Sequence, residues 1–303
     1  MPMKPLEGKV AIITGAGRGI GRALALGYAE AGAKVVVNDL GTDLSGQGDG
    51  TSPAEEVVRE IEAAGGSAVA DGHSVADPAQ AEAIVQTALD RFGRLDAVVN
   101  NAGIVRDGLF HKMSFENFDS VVKVHLYGSY NVSRAAATVF REQGSGAYVH
   151  FTSTAGLIGN LGQANYSAAK AAIAGLSRSI SIDMARFGVR SNCIAPFALT
   201  RMVTSVPTSD PVAFAEKRKH MTAEKLVPMS VFLASDDAAE VNGQVFAVRG
   251  NEIFVMSQPR PVRGLHRADG WTQESIRDVF LPSVKRDLTG PETTMDVFHW
   301  DAI

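Results

Sequence analysis

Val10-Ala11-Ile12-Ile13-Thr14, followed at once by Gly15-Ala16-Gly17-Arg18-Gly19-Ile20-Gly21 and then a helical run to Ala31, is the stretch whose reading decides the fold. Five apolar or β-branched residues in a row read as a strand covered on both faces. The glycines that follow permit a tight turn and let the main chain approach a pyrophosphate. The free N–H groups at the start of the next helix then meet its charge. Gly15, Gly17, Arg18, Gly19, Ile20 and Gly21 are therefore the expected phosphate-binding turn of a dinucleotide site. Asp39, eighteen residues beyond Gly21, closes the second apolar run. A carboxylate there accepts hydrogen bonds from both hydroxyls of an adenosine ribose and repels a 2′-phosphate, which favours NAD over NADP. Arg18 pulls the other way, since a guanidinium in the turn can pair with that phosphate.

Working outward, short strand-like runs alternate with helix-length segments. The strands are Val10–Thr14, Lys34–Asp39, Ser67–Ala70, Ala97–Asn100, Ala147–Thr152, Val189–Ile194 and Gln244–Val248. The helices are Gly21–Ala31, Pro53–Ala64, Pro78–Phe92, Phe115–Glu142 and Ala164–Phe187. Strict alternation implies parallel pairing through right-handed crossovers. The expected fold is α/β, a Rossmann-type doubly wound parallel sheet of seven strands with helices on both faces. It occupies residues 1–250, and a C-terminal extension, 251–303, packs on the same domain. Gly41–Ser52 and Thr200–Thr222 interrupt the alternation and read as loops at the carboxyl ends of strands, the edge where open α/β sheets bind ligands.

Composition narrows the function classes. The 303 residues are 45% hydrophobic and 20% charged with a formal charge of -4, and the isoelectric point is near 6.0. That balance argues against nucleic-acid binding through bulk electrostatics. Even the Ala-rich Ser167–Ile182 stretch is broken by Lys170 and Arg178, so no membrane span is expected. The first ten residues carry Lys4, Glu7 and Lys9 and no apolar core of a secretory signal. Cys193 is the lone cysteine, which excludes an internal disulfide, fits a reducing compartment and leaves no zinc signature. The expected address is the cytoplasm, with no metal.

Tyr166-Ser167-Ala168-Ala169-Lys170 sets a phenol and an ammonium four residues apart on one helical face. A phenol of reference pKa about 10 is a poor base at neutral pH, and adjacent positive charge lowers it toward use. Together with the glycine turn, Asn100-Asn101-Ala102-Gly103 after the fourth strand, and Ser153 thirteen residues before Tyr166, this chain resembles the short-chain dehydrogenase/reductase family from about Leu6 to Val248. The resemblance implies hydride transfer between a secondary alcohol or ketone and a nicotinamide. Ser153 would polarise the carbonyl, Tyr166 transfer the proton, and Lys170 hold the nicotinamide ribose and lower the tyrosine pKa. It further implies that Ser74, Val75, Asn101, Ala102 and Gly103 line the adenine and ribose side and Ile194 the nicotinamide side.

Three segments, Val36–Gly41 with its Gly-rich insertion, Val124–Ser129 and Gly159–Tyr166, are similar to the (3R)-hydroxyacyl-CoA dehydrogenases of the peroxisomal multifunctional enzyme type 2 group and its stand-alone bacterial relatives. The extension beyond Val248 supports that likeness. Most short-chain dehydrogenases carry asparagine where this chain has His125; a ring nitrogen can hold the water that leads from the catalytic lysine, or the ring can be a packed core histidine. Phe197 stands where the family has glycine after Ala195-Pro196. Lesser candidates are the Asp71/His73 pair near adenine or as a strand-end pair, Cys193 as a core thiol, Met202 and Met221 in an acyl pocket or the core, and Arg260, Arg263, Arg267 and Lys285 against CoA phosphates or as solvated surface. The expected activity is oxidation of a (3R)-3-hydroxyacyl thioester to its 3-oxo form with NAD. The alternatives are a hydroxysteroid or other bulky secondary-alcohol dehydrogenase, a 3-oxoacyl thioester reductase, or an NAD-sensing interaction protein. The two long helices resemble the family's subunit interface, implying a homo-oligomer, dimer or tetramer.

Overall fold

A computed structural model of the chain describes residues 4–41, 52–198 and 220–303. Eight strands form one sheet in the order β3-β2-β1-β4-β5-β6-β7-β8: β1 (Val10–Thr14), β2 (Lys34–Asn38), β3 (Ser67–Asp71), β4 (Ala97–Asn100), β5 (Gly146–Phe151), β6 (Val189–Phe197), β7 (Val245–Arg249) and β8 (Glu252–Val255). The first seven run parallel, as expected. The chain reverses direction across the sheet between β1 and β4, which opens a crevice at the carboxyl ends of those strands. Residues 42–51 and 199–219, including Met202, lie outside the described residues.

Alternate residues of each strand enter two cores. Ala11, Ile13, Val35, Val37, Val99 and Phe151 pack beneath α1 (Gly19–Glu30), α2 (Pro53–Ala63) and α8 (Val227–Ala234). Ile12, Val36, Val98 and Tyr148 pack beneath α3 (Pro78–Phe92) and α5 (Gly128–Gln143). The continuous β-branched runs of β1 and β2 follow from this double burial. Helix ends obey local chemistry: the Asp77 carboxylate accepts from Gln80 N at 2.9 Å, Pro78 occupies the first turn of α3, and Gly93 at φ 77° closes it.

Two expectations need correction. The sheet has an eighth strand: β8 runs antiparallel to β7 after the two-residue turn Gly250-Asn251, with Gly250 at φ +58°. A Gly-Asn pair between two β-rich runs is a hairpin signal that the eye passes over when every earlier connection is a helix crossover. The long helix Phe115–Glu142 is not uniform. It comprises α4 (Phe115–Val122), a π-helical turn at Lys123–Tyr127, and α5. The wider turn rotates His125 inward, where it is buried.

The extension after β7 is tied to the sheet by a buried cation. Arg249 is 2% exposed. Its Nε donates to Glu252 Oε2 at 2.7 Å and its Nη1 to the Trp300 carbonyl at 2.9 Å, and its guanidinium lies 4.6 Å from the Trp300 ring centroid. Phe298 fills the space between Phe197 and Phe254, at 5.0 and 5.2 Å between ring centroids. Phe197, where the family has glycine, thus has a packing partner in the extension. Replacing Arg249 with alanine leaves Glu252 and the main-chain carbonyls of Phe298, Trp300 and Asp301 without their cation. We expect a loss of about 3 kcal/mol in urea unfolding, together with faster proteolysis between residues 290 and 303.

Candidate active site

Thr14 ends β1 and organises the crevice. Its hydroxyl donates to Val99 O at 3.3 Å and accepts from the main-chain nitrogens of Asn101 and Ala102, both at 3.1 Å. Asn101 returns the contact: its Nδ2 donates to Thr14 O at 3.0 Å and Gly15 O at 3.2 Å. The glycine turn is compressed against itself, because a Cβ at Gly21 would lie 2.0 Å from Gly15 O. At Gly19, where φ is +53°, a Cβ would meet nothing within 4 Å. Tight packing behind and open space in front of the first turn of α1 fit a bound pyrophosphate. Asp39 lies beside this turn, accepting from Gly17 N at 2.8 Å through Oδ2 and from Gly41 N at 2.9 Å through Oδ1. Arg18 is the N-cap residue of α1, and Ile20 packs against the core.

Ser153 leaves β5 and caps the short α6 (Thr154–Leu157), its hydroxyl accepting from Ala155 N at 3.1 Å. The same side chain lies near enough to the Tyr166 phenol to draw its pKa down. Tyr166 and Lys170 stand on α7 (Ala164–Asp183). Lys170 is buried and donates to the carbonyl of Phe151 at 2.5 Å, with Nζ 5.6 Å from the centre of the Tyr166 ring. His125 meets that ring edge-on, 5.2 Å between centroids. Ser153, Tyr166, Lys170 and His125 are therefore one cluster.

Burial sets the charge state of the cluster. It lowers the Lys170 amine to about 7 and the His125 imidazole to about 3, the latter helped by the nearby Lys170. The Tyr166 phenol is pushed up by desolvation, drawn back by Ser153 and raised again by the charge of Asp107. The Lys170 amine faces Phe151 O from 5.6 Å off the Tyr166 ring centre.

Ile194 is fully buried in the core, since β6 continues three residues beyond it to Phe197 and leaves it inside the strand. Val75 is 7% exposed, packed where a Cβ on Gly128 would come within 2.7 Å of it. Ser74 caps its own loop, accepting from Ala76 N at 3.2 Å. Gly103 makes room for His125, whose Cε1 would lie 2.1 Å from a Cβ there. Asp71 and His73 pair at 3.0 Å as strand-end partners. Cys193 is a buried core thiol. In the extension, Arg263 pairs with Asp287 and Arg267 lies 5.6 Å from the Trp271 ring centroid.

Three positioning residues escaped the sequence. Asn165 donates to the carbonyls of Arg106 and Asn117 at 2.8 and 3.1 Å and accepts from Tyr166 N at 2.8 Å, pinning α4 and the loop after β4 to the first turn of α7. Gln163 donates to Asp107 at 2.8 Å. Thr294 N, in the extension, donates to Gly159 O at 2.9 Å and ties down the loop between Ser153 and Tyr166. Asn165 stands directly before Tyr166, the one sequence signal available; the others depend on pairings across more than fifty residues. No group of His, Cys, Asp or Glu among the described residues has the arrangement of a metal site.

Residues 9–210 match the short chain dehydrogenase family. A putative short-chain type dehydrogenase/reductase of Mycobacterium tuberculosis, Rv0148, is 47% identical over 83% of this chain and 85% of its own length. Hydroxyacyl-CoA dehydrogenase ChsB1 of the same organism is 40% identical over 91% and 89%. Mouse peroxisomal multifunctional enzyme type 2 is 42% identical over 90% of this chain, which spans 36% of the length of that protein. A solved 7α-hydroxysteroid dehydrogenase, complexed with NADH and 7-oxo glycochenodeoxycholic acid, superposes with a TM-score of 0.73 at 32% identity, over 82% of this chain and 96% of its own.

Gly103→Ala drives a methyl group into the His125 ring. We expect a loss of about 1–3 kcal/mol in denaturant unfolding. The buried histidines also set the acid limit of the fold. His125 and His150, both lowered to about 3 by burial, stay neutral in the folded chain but take up protons below the ordinary 6.5 when unfolded. The unfolded state thus binds more protons between those limits, so stability falls as pH drops from 6.5 toward 3, by about 1.4 kcal/mol per pH unit for each ring. His150→Phe should lower that slope by one ring's share in unfolding curves measured across the window.

Proposed function

This chain belongs to the short-chain dehydrogenase/reductase family, oxidoreductases of CH–OH groups, and we propose that it oxidises a (3R)-3-hydroxyacyl-CoA thioester to the 3-oxo form with NAD. The observation that carries the reading is the gathering of Tyr166, Lys170 and His125, with Lys170 Nζ 5.6 Å from the Tyr166 ring centre, His125 edge-on to that ring, and Ser153 at the carboxyl end of β5 beside them. When bound, a nicotinamide supplies the acceptor for the hydride leaving the carbinol carbon. The chain itself handles the oxygen. Ser153 donates to the substrate oxygen and holds it, and Tyr166, as phenolate, takes the hydroxyl proton. Lys170 supplies positive charge to its neighbourhood whenever protonated.

Apolar side chains support an acyl substrate. Leu109, Phe110 and Leu161 are 43%, 80% and 83% exposed on the two loops that join at Gly108 and Gln163, next to Tyr166. Single exposed leucines are ordinary, but three large apolar groups grouped at one mouth favour a greasy substrate. The relatives named hydroxyacyl-CoA dehydrogenase and multifunctional enzyme type 2 support the thioester. The 7α-hydroxysteroid dehydrogenase likeness favours a second reading, a bulky steroidal carbinol at the same mouth. NAD is favoured over NADP by the Asp39 carboxylate against the glycine turn.

We also read the chain as a homo-oligomer. Phe115, Phe118, Tyr127 and Tyr130 are exposed along α4, the π turn and α5, and Ile182 on α7, a display that a second copy would cover. A buried lone Cys193 fits a cytoplasmic, reducing address.

The test follows nicotinamide absorbance with NAD or NADP against (3R)-hydroxyacyl-CoA thioesters, hydroxysteroids and simple secondary alcohols. Turnover of the thioesters with NAD is expected; turnover of steroids alone would replace the thioester reading. Tyr166→Phe should cut kcat by roughly 10²–10⁴-fold with NAD affinity retained, since it removes only the proton acceptor. Asp39→Asn should reduce the preference for NAD over NADP by about tenfold or more.

A further inference from the structure

At the mouth of the candidate site stands a carboxylate that the handling of the carbinol proton leaves without a task. Asp107 lies in the segment after β4, between Ile104, which packs with Tyr166, and the exposed Leu109 and Phe110. That segment is held on both sides of Asp107. Before it, the carbonyl of Arg106 accepts from Asn165 Nδ2 at 2.8 Å. After it, Gly108 N donates to Gly162 O at 2.8 Å, where Gly108 and Gln163 form a parallel bridge. The side chain is fixed as well. Gln163 Nε2 donates to Asp107 Oδ2 at 2.8 Å, and Asn160 Nδ2 donates to Gln163 Oε1 at 3.1 Å. A carboxylate only accepts, so the Gln163 amide must turn its N–H to Asp107 and its oxygen to Asn160.

A carboxylate on a surface loop is ordinary when it is free to turn toward water. This one reaches solvent but is tethered beside a reactive phenol, among the apolar side chains of Leu109, Phe110 and Leu161. Its charge reaches the phenol: Asp107 raises the Tyr166 hydroxyl, while its own carboxyl is raised by the protein packed behind it and drawn back by Gln163. In a bound 3-hydroxyacyl group the carbinol oxygen lies at Tyr166, and C1 is two carbon–carbon bonds from the carbinol carbon. A field felt at the phenol is therefore felt at C1. A thioester carbonyl there is uncharged and meets little opposition. A free 3-hydroxy acid carries a carboxylate at the same place. Two like charges a few ångströms apart, at an effective dielectric of about 20, weaken binding by about tenfold or more.

We propose that Asp107 is a specificity-determining residue that excludes free 3-hydroxy acids and reserves the site for acyl groups whose C1 is uncharged, with Gln163 and Asn160 holding its carboxylate in place. The inference rests on the hydroxyacyl reading above and deepens it. The same charge works against the chemistry, because it disfavours the phenolate that takes the carbinol proton. Selection against anions is the use that offsets this cost. It also fixes an order of events: the reaction that supplies the substrate must deliver the acyl group already joined to its thiol, since the free acid would be turned away.

The test compares (3R)-3-hydroxyoctanoate with its primary amide, a pair of nearly the same shape that differs by one charge. Affinities are measured by calorimetry on the unmodified full chain with NADH bound, since an alcohol and a reduced cofactor cannot react. The amide should bind about tenfold or more tightly than the acid at low salt, and the gap should narrow at about 1 M salt, where exposed charges are screened. Asp107→Asn keeps an acceptor for Gln163 and removes the charge, so it should close most of the gap; Asp107→Glu, still a carboxylate, should preserve it. With NAD, the ratio of kcat/KM for amide over acid should fall in Asp107→Asn. A merely structural role would lower both substrates together and leave that ratio where it was. Failure of the amide to bind more tightly than the acid in the unmodified protein, or a gap that Asp107→Asn leaves intact, overturns the proposal. Should Asp107→Asn fail to fold, the salt dependence of the gap decides. Absence of turnover of every hydroxyacyl thioester would overturn the hydroxyacyl reading itself, and the two affinities would still decide whether Asp107 discriminates by charge.

Discussion

The exchange of hydrogen bonds between Thr14 and Asn101, across the ends of β1 and β4, is the constraint on which the site depends. It joins the two strands where the winding of the sheet reverses, and so holds the crevice at a fixed width. Through Asn101 Nδ2 it fixes the carbonyls of Thr14 and Gly15. The amides of Gly17 and the helix beyond are then presented toward Asp39 and open space. Through the main chain of Ala102 it also places Gly103, against which His125 is lodged. One threonine hydroxyl thus links the cofactor side of the crevice to the proton-handling side.

A second theme is the deliberate burial of polar groups. Lys170, His125, His150, Asn100 and Asn165 are all enclosed. Enclosure makes an amine easier to deprotonate and an imidazole harder to protonate, which is why Lys170 is moved toward neutrality while both histidines stay uncharged. A site so arranged favours proton exchange at the amine without storing charge on the rings beside it. The extension contributes at a distance: Arg249 and the aromatic cluster of Phe197, Phe254, Phe298 and Trp300 seat the last residues, and Thr294 then reaches the loop between Ser153 and Tyr166. A segment remote in sequence so helps to hold the loop that carries Leu161.

Much of this was legible in the chain alone, because it depends on local spacing. The β1–glycine–α1 unit, the seven parallel strands, Asp39 at the end of β2 and the four-residue interval between Tyr166 and Lys170 each follow from periodicities of two or about 3.6 residues and from turns that only glycine makes readily. Only the tertiary structure decided the rest. The β7–β8 hairpin, the π turn that brings His125 inward, the enclosure of Ile194 within a lengthened β6, and the row of Asn100, His150 and Cys193 depend on partners far along the chain. A side chain's neighbours across a sheet are set by register, and its pKa by how much water those neighbours exclude. Neither quantity is written in the spacing of adjacent residues, so the chemistry of Lys170 and its surroundings emerges only when the strands are brought side by side.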